Sequence, residues 1–159
     1  TAPADKNVKK ITVPATITVG GITYKVESVA PDAFKNCRKL TSVKISAGVQ
    51  KIGKNAFSGC SKLSSVTIVK DVTEIGAGAF ANCKALKKIT IPAAVTKIGK
   101  KAFNKCKKLK TVTIKTKKLK TVGSSAFKGI AKKAVIKLPK AKKAAYKKLL
   151  KKNMIKQQS

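Results

Sequence analysis

Four cysteines, Cys37, Cys60, Cys83 and Cys106, recur every 23 residues, and thiols are the groups in this chain best suited to metal ligation, redox exchange or nucleophilic attack. Their spacing argues against a metal. A structural zinc site converges four ligands on one point, commonly through C-x₂₋₄-C pairs, whereas one thiol per 23 residues lays the ligands along a line. Adjacent members of such a line could approach disulfide distance, but a cysteine at a repeating apolar position is expected to be a small buried thiol. Acid–base chemistry has little to work with: the chain has no histidine and only five acidic residues, and no phosphate-cradling glycine motif. A Ser/Lys nucleophile pair can be drawn almost anywhere among so many lysines, so it carries no specificity. The expectation is a non-catalytic protein without cofactor or metal.

Lysine is the other chemically active residue. The 159-residue chain has 38 basic residues against five acidic ones, a formal charge of +33, and Arg38 is the sole arginine. All five acids (Asp5, Glu27, Asp32, Asp71, Glu74) fall within residues 1–74, so residues 75–159 carry 26 lysines and no acid. Such a surface attracts polyanions: nucleic acid, anionic polysaccharide, phosphate-rich wall polymer or acidic protein. The apolar runs are far shorter than the roughly 20 residues of a membrane-spanning helix, and the polar start does not resemble a signal peptide. Charge and hydropathy alone leave the location open.

These residues are positioned by a repeat. Phe34, Phe57, Phe80, Phe103 and Phe127 follow one another at 23, 23, 23 and 24 residues, each directly after an alanine. Three residues later come the four cysteines and then Ile130, and three further on Leu40, Leu63, Leu86 and Leu109; the fifth copy has Lys133 there and is degenerate. Each repeat continues with an alternating pair, such as Val43 and Ile45 or Ile89 and Ile91, the period-two signature of a strand. It then runs through Val49, Val72, Val95 or Leu119 to Ile52, Ile75, Ile98 or Val122, with Gly53, Gly76, Gly99 and Gly123 directly behind. A glycine recurring there implies unusual backbone angles or close packing. The extra residue of the last spacing falls between Ile114 and Leu119, in an expected loop. One such turn cannot bury its own apolar face, whereas stacked turns line Phe, Cys, Leu, Val and Ile into interior ladders. The segment from each glycine to each cysteine is expected as a short helical or 3₁₀ stretch.

The pattern L-x-x-[VI]-x-I…V-x-x-[IV]-G-x-x-A-F-x-x-C resembles the BspA-like leucine-rich repeats of bacterial surface proteins, over Val29 to about Leu138. The resemblance implies a secreted or cell-surface protein acting in adhesion or recognition, with a host or bacterial surface protein or glycan as partner. It transfers no individual binding residue. The expected fold is α/β: a leucine-rich-repeat solenoid with a parallel sheet, in a single domain over 1–159, expected to be monomeric. Residues 29–138 form its five repeats. An N-terminal cap is placed at 11–28, where Gly20-Gly21 lies between two short alternating strands and marks a tight hairpin turn. A C-terminal helical cap is placed at 139–159, where Pro139 precedes a helical face containing Tyr146, Leu149 and Leu150. The same lysine-dense helix also resembles a membrane-surface or partner-binding amphipathic helix; the capping role requires Leu149 and Leu150 to be covered.

Two candidate sites follow from the repeat. Outward positions of the strands form rows, Ser42, Ser65, Lys88, Thr111 and Lys44, Thr67, Thr90, Thr113, which offer a ligand-binding sheet face; these residue types also serve simply as soluble strand formers. The bend after each cysteine stacks Arg38, Lys39, Lys62, Lys84, Lys107 and Lys108 without an acid, a candidate polyanion-binding strip or simply a solvated ridge. Glu74 is expected to lie between Lys51 and Lys97, one repeat away on either side.

Overall fold

The computed structural model describes residues 6–154, with the side chains of 152–154 outside the description. Strand β1 (Lys10–Val13) is followed by the hairpin β2 (Thr16–Val19) and β3 (Ile22–Lys25), and by β4 (Ser28–Val29). Each repeat then contributes a longer and a two-residue strand: β5 (Ser42–Ile45) and β6 (Lys51–Ile52), β7 (Ser65–Thr67) and β8 (Glu74–Ile75), β9 (Lys88–Ile91) and β10 (Lys97–Ile98), β11 (Thr111–Ile114) and β12 (Thr121–Val122). Strand β13 (Val135–Lys137), a 3₁₀ turn at Lys140–Lys142 and helix α1 (Lys143–Met154) complete the described residues.

Every repeat is one coil with three walls. The short strands pair in parallel as one five-stranded sheet, β12-β10-β8-β6-β4. The longer strands build the second wall, and the Gly-to-Cys segments the third. Between the walls lie the expected ladders: Leu40, Leu63, Leu86 and Leu109 are fully covered, as are Ile52, Ile75 and Ile98 to within 1%. The phenylalanines form one column of nearly parallel rings, with centroids 5.2–5.4 Å apart and planes within 9° of each other.

The third wall carries chained turns in place of the expected 3₁₀ stretches. Within each repeat the amide of Cys bonds back to the carbonyl of Phe three residues earlier, and Leu to Cys likewise, as 3₁₀ geometry requires. Two columns of left-handed residues interrupt it, however: Asp32, Asn55, Gly78, Lys101 and Ser125, and Asn36, Gly59, Asn82, Lys105 and Gly129, all with φ between 53° and 77°. A left-handed residue ends a right-handed helical run, so the phenylalanine amide midway between them bonds along the stack while its two neighbours bond back within the coil. Thus Phe34, Phe57 and Phe80 donate to the carbonyls of Ala56, Ala79 and Ala102 in the next coil.

The longer-strand wall departs from the expected continuous sheet. It is two three-stranded sheets, β1-β5-β7 and β13-β11-β9. Pro92 supplies the physical reason for part of the break. In other coils the residue after the strand donates its amide to the preceding coil, Ser46 to Val13 and Lys115 to Ile91; Pro92 holds that position after β9 and has no N–H to give.

At the N-terminal end the hairpin forms with Gly20 and Gly21 both left-handed (φ 57° and 78°), as a tight two-residue turn demands. Its register pairs Ile17 with Tyr24 and Val19 with Ile22, and all four side chains are exposed. The hairpin therefore stands out from the coil, and the strands flanking it cover the ladder end: β1 pairs with β5 and buries Val13, and β4 pairs with β6 and buries Val29. At the other end α1 buries Tyr146 and Leu150 and half-buries Leu149. The Tyr146 hydroxyl accepts the amide of Leu119 at 2.8 Å, so the helix covers the last coil. The extra residue near Ile114 is absorbed by a loop pinned by Thr116. Its buried hydroxyl donates to the Val95 carbonyl at 2.7 Å and accepts the Lys118 amide at 3.0 Å.

Candidate recognition surfaces and the thiol column

The sheet-face residues come together only partly. Ser42 lies beside Ser65 and Lys44 beside Thr67; Lys88 lies beside Thr111 and Thr90 beside Thr113. The break between β7 and β9 divides these rows into two groups. Sequence reasoning missed the first member of the face. Lys10 and Thr12 of β1 stand in register with Ser42 and Lys44, and the signal was present: K-I-T-V at 10–13 repeats the K-I-T-I at 88–91. The face is polar throughout, since Lys44, Ser65, Thr67, Lys88 and Thr90 are exposed and Ser42, Thr111 and Thr113 half-buried.

All six cations of the strip are exposed. The repeat sorts them into two neighbouring columns, Arg38, Lys84 and Lys107 with Ser61 in the second place, and Lys39, Lys62 and Lys108 with Ala85 in the third. Because Ser61 and Gly59 are small, the first column sinks into a notch of about 420 Å³ lined by Asn36, Arg38, Gly59, Ser61, Asn82 and Lys84. The acids near the stack are engaged elsewhere. Asp32 is paired with Lys35 at 3.0 Å and accepts a hydrogen bond from Asn55 at 3.3 Å; the Lys35 bond holds its carboxyl below the ordinary value. Glu74 sits between Lys51 and Lys97 in the strand ladder and pairs with Lys97 at 2.9 Å. Asp71 accepts the Gly48 amide at 3.1 Å.

All four cysteines are buried and none is in a disulfide. Cys60, Cys83 and Cys106 each donate to the carbonyl of the phenylalanine one repeat back, Phe34, Phe57 and Phe80, at 3.1–3.2 Å. Burial pushes Cys60 and Cys106 up to about 12 and raises Cys83 well above its ordinary 9.0. Among the described residues, no group of three or more His, Cys, Asp or Glu side chains is placed to hold a metal ion.

The thiol column makes a pH prediction. The folded-state pKa lies above the unfolded value, so the contribution to stability is complete below about pH 9 and is lost as pH rises from there toward 12. The loss approaches about 1.4 kcal/mol per pH unit for each thiol still protonated in the fold. Chemical denaturation at pH 8 to 11 should show that slope, and the triple variant Cys60→Ala, Cys83→Ala, Cys106→Ala should show a shallower one. Lysine neutralisation in the same range affects both proteins equally.

The family model of the BspA type leucine rich repeat region matches residues 27–156 in six copies, one more than the phenylalanine column marks. No curated protein matches the chain significantly. Among solved structures, the chain is similar to the leucine rich repeat protein of T. pallidum (29% identity, TM-score 0.76, covering 87% of this chain and 62% of that one). A leucine-rich repeat protein from Bacteroides ovatus is 33% identical with a TM-score of 0.59, covering 82% of this chain and 40% of that one. Another, from Bacteroides capillosus, is 31% identical with a TM-score of 0.60, over 71% and 79%. The chain thus spans about three-fifths and two-fifths of the first two. No helix among the described residues is long and apolar enough to cross a membrane.

Proposed function

Because the chain belongs to the BspA-type leucine-rich repeat family, we propose that it is a non-catalytic recognition module of a secreted or cell-surface bacterial protein, binding protein or glycan ligands on its repeat surface. The observation that carries this reading is the polar face itself. Lys10 and Thr12, Ser42 and Lys44, and Ser65 and Thr67 are held on successive strands in one register, and Lys88, Thr90, Thr111 and Thr113 on the second sheet. A rigid array of this kind binds by summing many shallow contacts along its length. Aromatic anchors, which dominate most interface energies, are absent from it: the two tyrosines lie in the hairpin and in α1.

A screen of matrix proteins, glycans and nucleic acids at about 0.05 M and 0.5 M salt tests the proposal. A face ligand should persist at the higher salt, and the variant Thr67→Glu, Thr90→Glu, Thr113→Glu should lose it at least tenfold while retaining wild-type thermal stability. DNA binding that depends on base sequence at physiological salt would overturn the reading.

The lysine strip favours a second mode, sequence-blind binding of an anionic polymer. With one arginine, two tyrosines and no tryptophan, the chain supplies little of the guanidinium forks that read bases or of the stacking platforms that grip single strands. Binding through the strip should therefore collapse with salt whatever the polymer.

A further inference from the structure

We infer that the notch at the second coil is a discrete anion site, shaped for a sulfate or phosphate ester carried on an anionic glycan. The inference rests on the polyanion mode just described and assigns it a location. A ridge of evenly spaced lysines would hold a polymer anywhere along its length. The strip is not even, because Ser61 stands where Arg38, Lys84 and Lys107 stand in the other coils.

Two coils separate Arg38 from Lys84, roughly 9.6 Å at the spacing of paired strands, which leaves room for one tetrahedral anion between two cations. Arg38 offers a planar fork that engages two oxygens of an oxyanion together, and Lys84 a compact charge opposite it. The floor between them is kept low by Gly59. It is left-handed (φ 77°) and bears no side chain where the same column carries Asn36 and Asn82 in the adjoining coils, and the Asn36 side-chain oxygen already stands in the place a Cβ would take. The half-buried Ser61 lines the notch together with Asn36 and Asn82. No carboxylate lines the notch.

The ligand class follows from what surrounds the charges. No aromatic ring lines the notch on which a base could stack, and stacking is a main source of affinity for flexible nucleic-acid strands. Two amides and a hydroxyl flanking the cations instead suit the hydroxyls that neighbour an ester anion on a sugar ring. At about 420 Å³ the notch holds one substituted monosaccharide unit and leaves the rest of the chain to follow the lysines.

The test compares two double variants with the same change in charge. Arg38→Gln with Lys84→Gln removes the cations of the notch, and Lys39→Gln with Lys62→Gln removes two exposed cations of the same ridge that do not line it. Against a sulfated heparin hexasaccharide at physiological salt, the first should weaken binding at least tenfold and the second less than about threefold. Ser61→Tyr, which fills the notch without altering charge, should also weaken binding about tenfold. The desulfated hexasaccharide should not bind. Equal effects of the two double variants, or undiminished binding by Ser61→Tyr in a protein that keeps its circular dichroism, would overturn the notch and leave the ridge. Failure of the wild-type protein to bind any polyanion would remove the ridge itself. A 12-base-pair DNA duplex bound as tightly as the hexasaccharide, and weakened equally by the loss of Arg38 and Lys84, would overturn the glycan assignment.

Discussion

Phe80→Ala is expected to cost about 3–5 kcal/mol, the range for deleting a buried ring that neighbours cannot collapse around. Phe80 is fully covered and stacks on both sides, 5.3 Å from Phe57 and 5.4 Å from Phe103. The surrounding coils are held by backbone bonds from Phe57 to Ala79 and from Phe80 to Ala102, so they cannot close over the gap. In a stack whose members touch only their neighbours, stability is a sum of coil and interface terms. Weakening the central interface should therefore also broaden denaturant unfolding and lower its apparent m-value. Phe34→Ala is the control: it is only half-buried and stacks on one ring, Phe57. Its cost should be about half as large. Equal costs at the two positions would mean that the ring column does not couple the coils.

Gly76→Ala should be the next most damaging single change, at about 3 kcal/mol, near the upper end of overpacking effects. The four corner glycines, Gly53, Gly76, Gly99 and Gly123, do not occupy the left-handed region. They are needed because the coils touch there: a Cβ on Gly76 would lie 2.7 Å from the Ile52 carbonyl oxygen and 2.8 Å from the Gly53 carbonyl carbon. Both are backbone atoms that no rotamer change can move. Gly76 also donates its amide to Ile52 at 2.8 Å, so a methyl group would wedge open the contact that joins β6 to β8. Gly48 offers the opposite case, being left-handed (φ 86°) with nothing within 4 Å of the place a methyl group would take. Gly48→Ala should therefore cost only the conformational penalty, about 1 kcal/mol. Chemical denaturation of the two variants checks the order, and a Gly48 variant worse than the Gly76 one would refute close packing as the reason for the corner glycines.

The interior of the molecule was readable because each core position repeats, so one register of phenylalanines determines every ladder that follows. Where a feature depends on a single residue, the period hides it. Lys10–Val13 carries the strand pattern but is separated from its repeat by the inserted hairpin and lacks the preceding leucine and phenylalanine, so the period does not reveal it as the first strand of the wall. The expected 3₁₀ stretches fail at Asn36, Asn55 and Asn82, residue types that tolerate the left-handed region, and the same positions in the later coils are held by Lys101 and Lys105, which give no such signal. Pro92 is in plain view, but its effect appears only once its neighbours are seen donating amides. For the site, the sequence supplies the columns of cations; the depression among them requires knowing that Ser61 and Gly59 lie side by side with Arg38 and Lys84 across three coils.

The unequal walls also govern how the molecule would yield to force. One wall is stitched without interruption from β4 to β12, while the opposite wall is unstitched between β7 and β9. A pull applied along the axis is resisted on both sides everywhere except at that seam, where only the short strands and the turn wall hold. The stack should open there first, like a book on its spine, leaving two smaller folded blocks still joined by β8 and β10.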